Sequence, residues 1–185
     1  MKTEKTTTLA HTEAVEVLDG LGRPLGVIPA AEAHRQSLPH RSAMVLLFDS
    51  RGKLFLRRRD ASEALYPGRW DIPAVGHVRP GESREDAAQR VTRERLPVSG
   101  GALLPHGELP PGPSTGFERV SLYKYLLPGT AKGLRGFDET EWLLADAEEL
   151  TALATDFREL FSPAVIHALE HGALRPGKRD GNPEG

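Results

Sequence analysis

Glu82, Arg90 and Glu94 are the residues whose types and spacing most clearly suggest chemistry. They belong to the segment Gly76-His77-Val78-Arg79-Pro80-Gly81-Glu82, which Arg90 follows after seven further residues and Glu94 soon after that. Hard divalent cations take oxygen ligands, and carboxylates spaced along one helical face can meet a single ion. An ion held that way neutralises phosphate charge and activates a water. Cations suited to the same substrate lie upstream. Arg57, Arg58 and Arg59 end an apolar strand, where alternation puts Arg57 and Arg59 on one face. Guanidinium forks there, with Arg69 nearby, match diphosphate oxygens two at a time.

The elements that must position these groups follow from apolar patterning and turn residues. Ala14 to Leu18 and Leu25 to Ile28, around the turn Asp19 to Arg23, read as a hairpin, and Ala30 to Arg35 as a short helix. Arg41 to Asp49 carries the run Ala43 to Phe48 and turns through Ser50 to Lys53 into Leu54 to Leu56, a second hairpin with a buried first strand. A loop through Pro67-Gly68-Arg69 leads to an extended stretch from Trp70 to His77. Ser83 reads as an N-cap with Asp86 in the acidic first turn, and Pro97 ends that helix. After a Pro/Gly loop from Pro105 to Gly116, Val120 to Leu127 and Thr140 to Leu144 read as strands. Asp146 to Ala154 and Arg158 to Glu170 read as helices. Trp70, Tyr123, Tyr125 and Trp142 are expected in the core. The order predicts a mixed α/β sandwich over residues 13–171, between tails at 1–12 and 172–185 whose composition buries little apolar surface.

Composition narrows the function classes. The 185 residues suit one domain, and 24 Lys and Arg against 26 Asp and Glu give a net charge of -2. No strong field favours nucleic acid or an anionic membrane. There is no cysteine, which excludes thiolate metal sites, disulfides and cysteine nucleophiles. The first residues lack an apolar signal region and no long apolar run occurs, so a cytoplasmic protein is expected. The edge of the hairpin Ala14 to Ile28 makes a homodimer a candidate assembly.

The segment from Gly76 to Glu94 resembles the Nudix box, G-x5-E-x7-R-E-U-x-E-E-x-G-U, where U is a bulky aliphatic residue. The resemblance implies an α/β/α sandwich with a mixed sheet, with the box helix on one side and the C-terminal helices on the other. It also implies Mg²⁺ or Mn²⁺ held on a substrate diphosphate by Glu82 and Glu94, with Glu94 the catalytic carboxylate and Arg90 orienting a glutamate such as Glu82. The chain departs from the box at Val91, Thr92, Arg95 and Pro97, where the family has glutamate, an aliphatic residue, glutamate and glycine. Arg95 sets positive charge beside the expected cation.

Arg58-Arg59-Asp60-Ala61-Ser62, Pro67-Gly68-Arg69-Trp70 and Gly76-His77 leading to Ala87 also resemble isopentenyl-diphosphate isomerases and related uncharacterised Nudix hydrolases. His34-Arg35 and His40-Arg41 fit the same subgroup. This resemblance spans most of Ala14 to Leu144. It implies a second metal scheme at His40 and His77, with His34 a looser match and Glu118 the nearest strand carboxylate. The isomerase cysteine before Gly-His is Val75 here, which excludes isomerisation by the cysteine route. The isomerase lysine after the paired arginines is also missing from Ser62-Glu63-Ala64. Glu139 and Glu141 could replace a missing base.

The resulting expectation is a metal-dependent hydrolase of a diphosphate linkage in a small soluble substrate, a nucleoside diphosphate derivative first among them. The alternative is a nucleotide- or diphosphate-binding Nudix protein that has lost turnover.

Overall fold

The long apolar strand β3 (His40–Phe48) organises the molecule, because both of its faces are buried. The computed structural model describes residues 13–63, 65–129 and 137–175. The expected tail at 1–12, and most of the one expected from 172, lie outside those residues.

Before β3 come the hairpin β1 (Ala14–Leu18) and β2 (Pro24–Pro29) and the short helix α1 (Ala30–Arg35). After it come β4 (Leu54–Arg58), β5 (Trp70–Asp71), β6 (Ala74–His77) and helix α2 (Arg84–Arg95). The chain ends through β7 (Ala102–Leu109), β8 (Glu118–Leu126), β9 (Trp142–Ala145), α3 (Ala147–Asp156) and α4 (Pro163–Glu170). The main sheet runs β5-β4-β3-β8-β7, with β6 also on β3 and β9 also on β4. It is mixed: β3 and β8 are parallel, and the other pairings are antiparallel.

Alternation along β3 divides the core. Ala43, Val45 and Leu47 pack with Ala87, Ala88 and Val91 of α2. Met44, Leu46 and Phe48 pack with Leu150 of α3 and Val165 and Ile166 of α4. The layers are therefore α2, sheet, and α3 with α4, as expected. Ser83 caps α2 by accepting from the Asp86 backbone N–H, and the helix stops at Leu96 before Pro97. Tyr123, Tyr125 and Trp142 are buried, and Trp70 packs against the core partly covered.

Several boundaries differ from expectation. The stretch Trp70 to His77 splits at Pro73, which lacks the N–H to continue a ladder, so β5 joins β4 and β6 joins β3. Strand β7 occupies part of the expected Pro105 to Gly116 loop. It is an edge strand with an irregularity between Pro105 and Gly107, and such a position tolerates proline. The last helix begins at Pro163 rather than Arg158, with Ser162 as its cap and proline in its first turn. Ala173 and Leu174 are buried against the same core, so packing continues past the expected boundary at 171.

Candidate active site

Strand register builds the most concentrated group of potential ligands. Parallel pairing sets His40 beside Glu118, and antiparallel pairing sets Ser42 beside His77. Residues two apart on a strand share a face, so His40, His77 and Glu118 meet at one end of the sheet. His34, from the last turn of α1, joins them. One ligand atom from each of the four residues lies within 4.8 Å of the others. The Nε2 atoms of His34, His40 and His77 lie 3.6, 3.9 and 3.5 Å from Glu118 Oε1. His34 Nε2 and His77 Nε2 are 3.0 Å apart.

The outer contacts aim the rings. His40 Nδ1 lies 2.8 Å from the Leu38 carbonyl oxygen, which can only accept, so Nδ1 carries the proton and Nε2 offers its lone pair inward. That Nε2 is buried without a hydrogen-bond partner among the described residues. An orphaned polar atom of this kind costs roughly 1–3 kcal/mol unless a ligand satisfies it, so the donor set fits a cation. His77 Nδ1 lies 2.9 Å from Glu13 Oε2 but out of hydrogen-bond alignment with it, an ion-pair contact that leaves Nε2 for the cluster. Burial disfavours a charged His77, but the carboxylates of Glu118 and Glu13 outweigh it and push its pKa up to about 8. Burial also opposes the Glu118 carboxylate, yet His77 holds it below the usual range. Burial pushes His40 down.

The helix carboxylates are arranged differently. Glu82 Oε1 and Oε2 accept from Arg90 at 2.8 and 2.9 Å, and Oε2 also accepts from the Arg79 backbone N–H at 2.9 Å. Arg90 Nη2 donates to the His77 carbonyl at 2.8 Å, tying α2 to the strand that carries His77. Arg90 therefore orients Glu82. The expectation of Glu82 as a metal ligand meets a carboxylate whose oxygens are both committed to holding the loop. Glu94 lies 3.4 Å from Arg90 and 3.7 Å from Arg79, half exposed. Val91, where the box has glutamate, is buried and packs against Gly76, where an added Cβ would come within 2.8 Å of Val91 Cγ2.

A cleft of about 720 Å³ opens beside the histidines on the same sheet face. Glu118 belongs to both, Met44, Val75 and Val120 lie in its wall, and Glu94 and Arg95 reach it from the end of α2. The expected arginines separate here. Arg59 donates to the Leu65 carbonyl at 2.8 Å and pairs with Asp71 at 2.6 Å and also with Glu63, so its guanidinium is consumed. Like Arg57 it lines the cleft, but the two guanidiniums have different partners. Arg57 lies over the Trp142 ring, 5.7 Å from its centroid, with Glu141 at 3.9 Å. Arg69 faces a neighbouring hollow, stacked over Tyr66 at 5.2 Å and donating to the Phe161 carbonyl at 3.3 Å. The sequence reading missed Glu13, which it left at the margin of a tail, and the open positions of Arg58 and Arg95. His34, only a looser match in the resemblance, stands in the cluster beside the other three.

The sequence profile of the NUDIX domain matches residues 38–165. The chain belongs to the Nudix family. An uncharacterised Nudix hydrolase of Pseudomonas aeruginosa is 41% identical over 98 residues, 53% of this chain and 58% of that one. An isopentenyl-diphosphate Delta-isomerase of Nocardia farcinica is 36% identical over 120 residues, 64% of this chain and 60% of the relative. The chain thus spans somewhat more than half the length of these relatives. An uncharacterised Nudix hydrolase of Yersinia pestis aligns over 92% of this chain and 91% of its own length at 28% identity. A crystal structure from Deinococcus radiodurans superposes with a TM-score of 0.70 over 86% of this chain and 98% of that one, at 22% identity, which shows the fold. The box keeps Glu82 in the loop before α2, and Arg90 and Glu94 on the helix. Val75 lines the cleft.

Proposed function

We propose that the protein is a divalent-metal-dependent hydrolase of a diphosphate linkage in a small substrate such as a nucleoside diphosphate derivative. The observation that carries the reading is the convergence of His34, His40, His77 and Glu118 at the edge of the cleft, with the buried His40 Nε2 lacking any other partner among the described residues. These four residues would hold the ion. A divalent cation there supplies charge neutralisation for the phosphate and acidifies a bound water. Imidazole-rich donor sets suit Mn²⁺ better than Mg²⁺, which prefers oxygens alone.

The remaining groups do the positioning. Arg57, braced by Trp142, offers its guanidinium to phosphate oxygens, whereas Arg59 stabilises the loop through Asp71 and Glu63. Arg79 and Arg90 hold Glu94 at the cleft wall, where its carboxylate can take a proton from water attacking phosphorus. Arg90 also fixes Glu82 and the His77 carbonyl, so its effect on the site passes through them.

A second reading, binding without turnover, is favoured by one observation: of the helix positions that carry family glutamates, Glu94 alone leaves a carboxylate at the cleft. Phosphate release from a panel of nucleoside diphosphates, nucleotide sugars and dinucleotides with Mn²⁺ or Mg²⁺ separates the two. The expected result is Mn²⁺-stimulated turnover that falls at least about 100-fold in His77→Ala and in Glu94→Ala. Turnover unchanged in His77→Ala would contradict the metal assignment, and binding without turnover would select the second reading.

A further inference from the structure

Six carboxylates and four arginines line the cleft, but most of the carboxylates are committed to other groups. Asp71 and Glu63 are spent on Arg59, Glu118 on the histidines, and Glu94 on Arg79 and Arg90. Asp60 accepts from the Ser62 backbone N–H and hydroxyl at 2.8 and 2.6 Å, closing its own turn. Two guanidiniums of the same cleft have no carboxylate partner among the described residues. Arg58 donates only Nε, to the Gly68 carbonyl at 3.1 Å. Arg95, the last residue of α2, makes no ion pair or hydrogen bond through its side chain to any described residue.

Arg95 opens onto a smaller hollow of about 390 Å³ beside the cleft, and Arg57, Glu94 and Glu141 line both spaces. Arg57 is loosely paired there, since Glu141 is 3.9 Å away and the ring face of Trp142 leaves the guanidinium N–H edge open. The helix C-terminus favours a cation, so Arg95 presents its charge from a rigid element rather than from a loop.

We propose that Arg95, with Arg57, forms a phosphate site that works without a metal ion at the end of the cleft where α2 finishes. The inference rests on the diphosphate reading above and deepens it. One phosphate of the substrate is neutralised by guanidinium at the position where a glutamate would have recruited a second cation, and the histidine cluster serves the other phosphate. Arginine forks make charge-assisted bonds to phosphate oxygens without the geometric demands of Mg²⁺. The exchange of glutamate for arginine at this position therefore replaces a cation-holding group by a fixed cation.

The test is calorimetric titration of the full chain with inorganic diphosphate in the presence of chelator, alongside Mn²⁺-dependent turnover of the best panel substrate. Wild type binds diphosphate without metal. R95A weakens that binding by about tenfold, the loss of one charge-assisted contact, while R95K retains most of it. R95E abolishes metal-free binding and restores it only with added divalent cation, because the substitution sets a second carboxylate next to Glu94. A merely helix-stabilising role for Arg95 would shift the melting temperatures of R95A and R95E and leave the chelated diphosphate affinity unchanged, which would overturn the proposal. So would wild type that fails to bind diphosphate in chelator. Mn²⁺ turnover that persists with an unaltered KM in R95A would remove this site and leave the hydrolase reading intact. Arg95-dependent binding in a protein that never turns over would do the reverse.

Discussion

His77 must lose a proton before it can hold a cation, and the metal-free protein makes that proton hard to remove. Its folded pKa of about 8 lies above the ordinary value of 6.5, so protonation stabilises the metal-free fold below that lower value. The contribution is lost as pH rises through 8, and it is on the order of 2 kcal/mol. The melting temperature of chelated protein is therefore expected to fall between pH 6.5 and 8.5, and His77→Gln to flatten that fall. Mn²⁺ affinity should rise over the same window, because binding displaces the proton. An affinity that does not change with pH would contradict the ligand assignment. Glu13→Gln should lower the His77 pKa, followed by NMR titration, and weaken Mn²⁺ roughly tenfold as the orienting carboxylate is lost. At this scale the sequence was partly legible. His40, His77 and Glu118 were reachable through family resemblance, whereas Glu13 meets His77 only through folding of the N-terminal hairpin. Arg59 is held by Asp71 and Glu63, pairings that the chain acquires only on folding.

Helix α2 is held by two devices whose energies can be compared. Ser83→Ala removes the cap and should cost about 1 kcal/mol in urea unfolding. Arg90→Ala removes a mostly buried fork on Glu82 and the bond to the His77 carbonyl, and should cost more, about 2 kcal/mol, while also weakening Mn²⁺ binding. Equal effects of the two substitutions would argue that Arg90 serves the helix alone. A third test concerns how closely α2 lies on β6. Gly76→Ala should destabilise the fold because its Cβ would meet Val91 Cγ2, and Val91→Ala in the same chain should recover part of the loss. The capped helix and the buried β3 were plain from the sequence, since both rest on local signals. Strand β7 was not, because its Pro105 and Gly107 are acceptable only at an edge, a property of the assembled sheet.

As a whole, the molecule uses the Nudix sandwich to bring a strand-end cluster of histidines and the end of a helix to one cleft. The fold was legible because the Gly76-to-Glu94 spacing specifies loop, cap and helix together. The chemistry was less so, because a box read residue by residue records lost ligands at Val91 and Arg95 and not what replaces them. In the folded chain Val91 is core and Arg95 is an open cation. No helix among the described residues is long and apolar enough to cross a membrane. The proposed hydrolysis depends on an ion held by the histidines. Electron spin-echo spectroscopy of one equivalent of bound Mn²⁺ tests it directly. The expected spectrum has histidine nitrogen couplings that are lost in His40→Gln and kept in Glu94→Ala. An ion that shows oxygen ligands only, and that is released by Glu94→Ala while His40→Gln retains it, would contradict the claim.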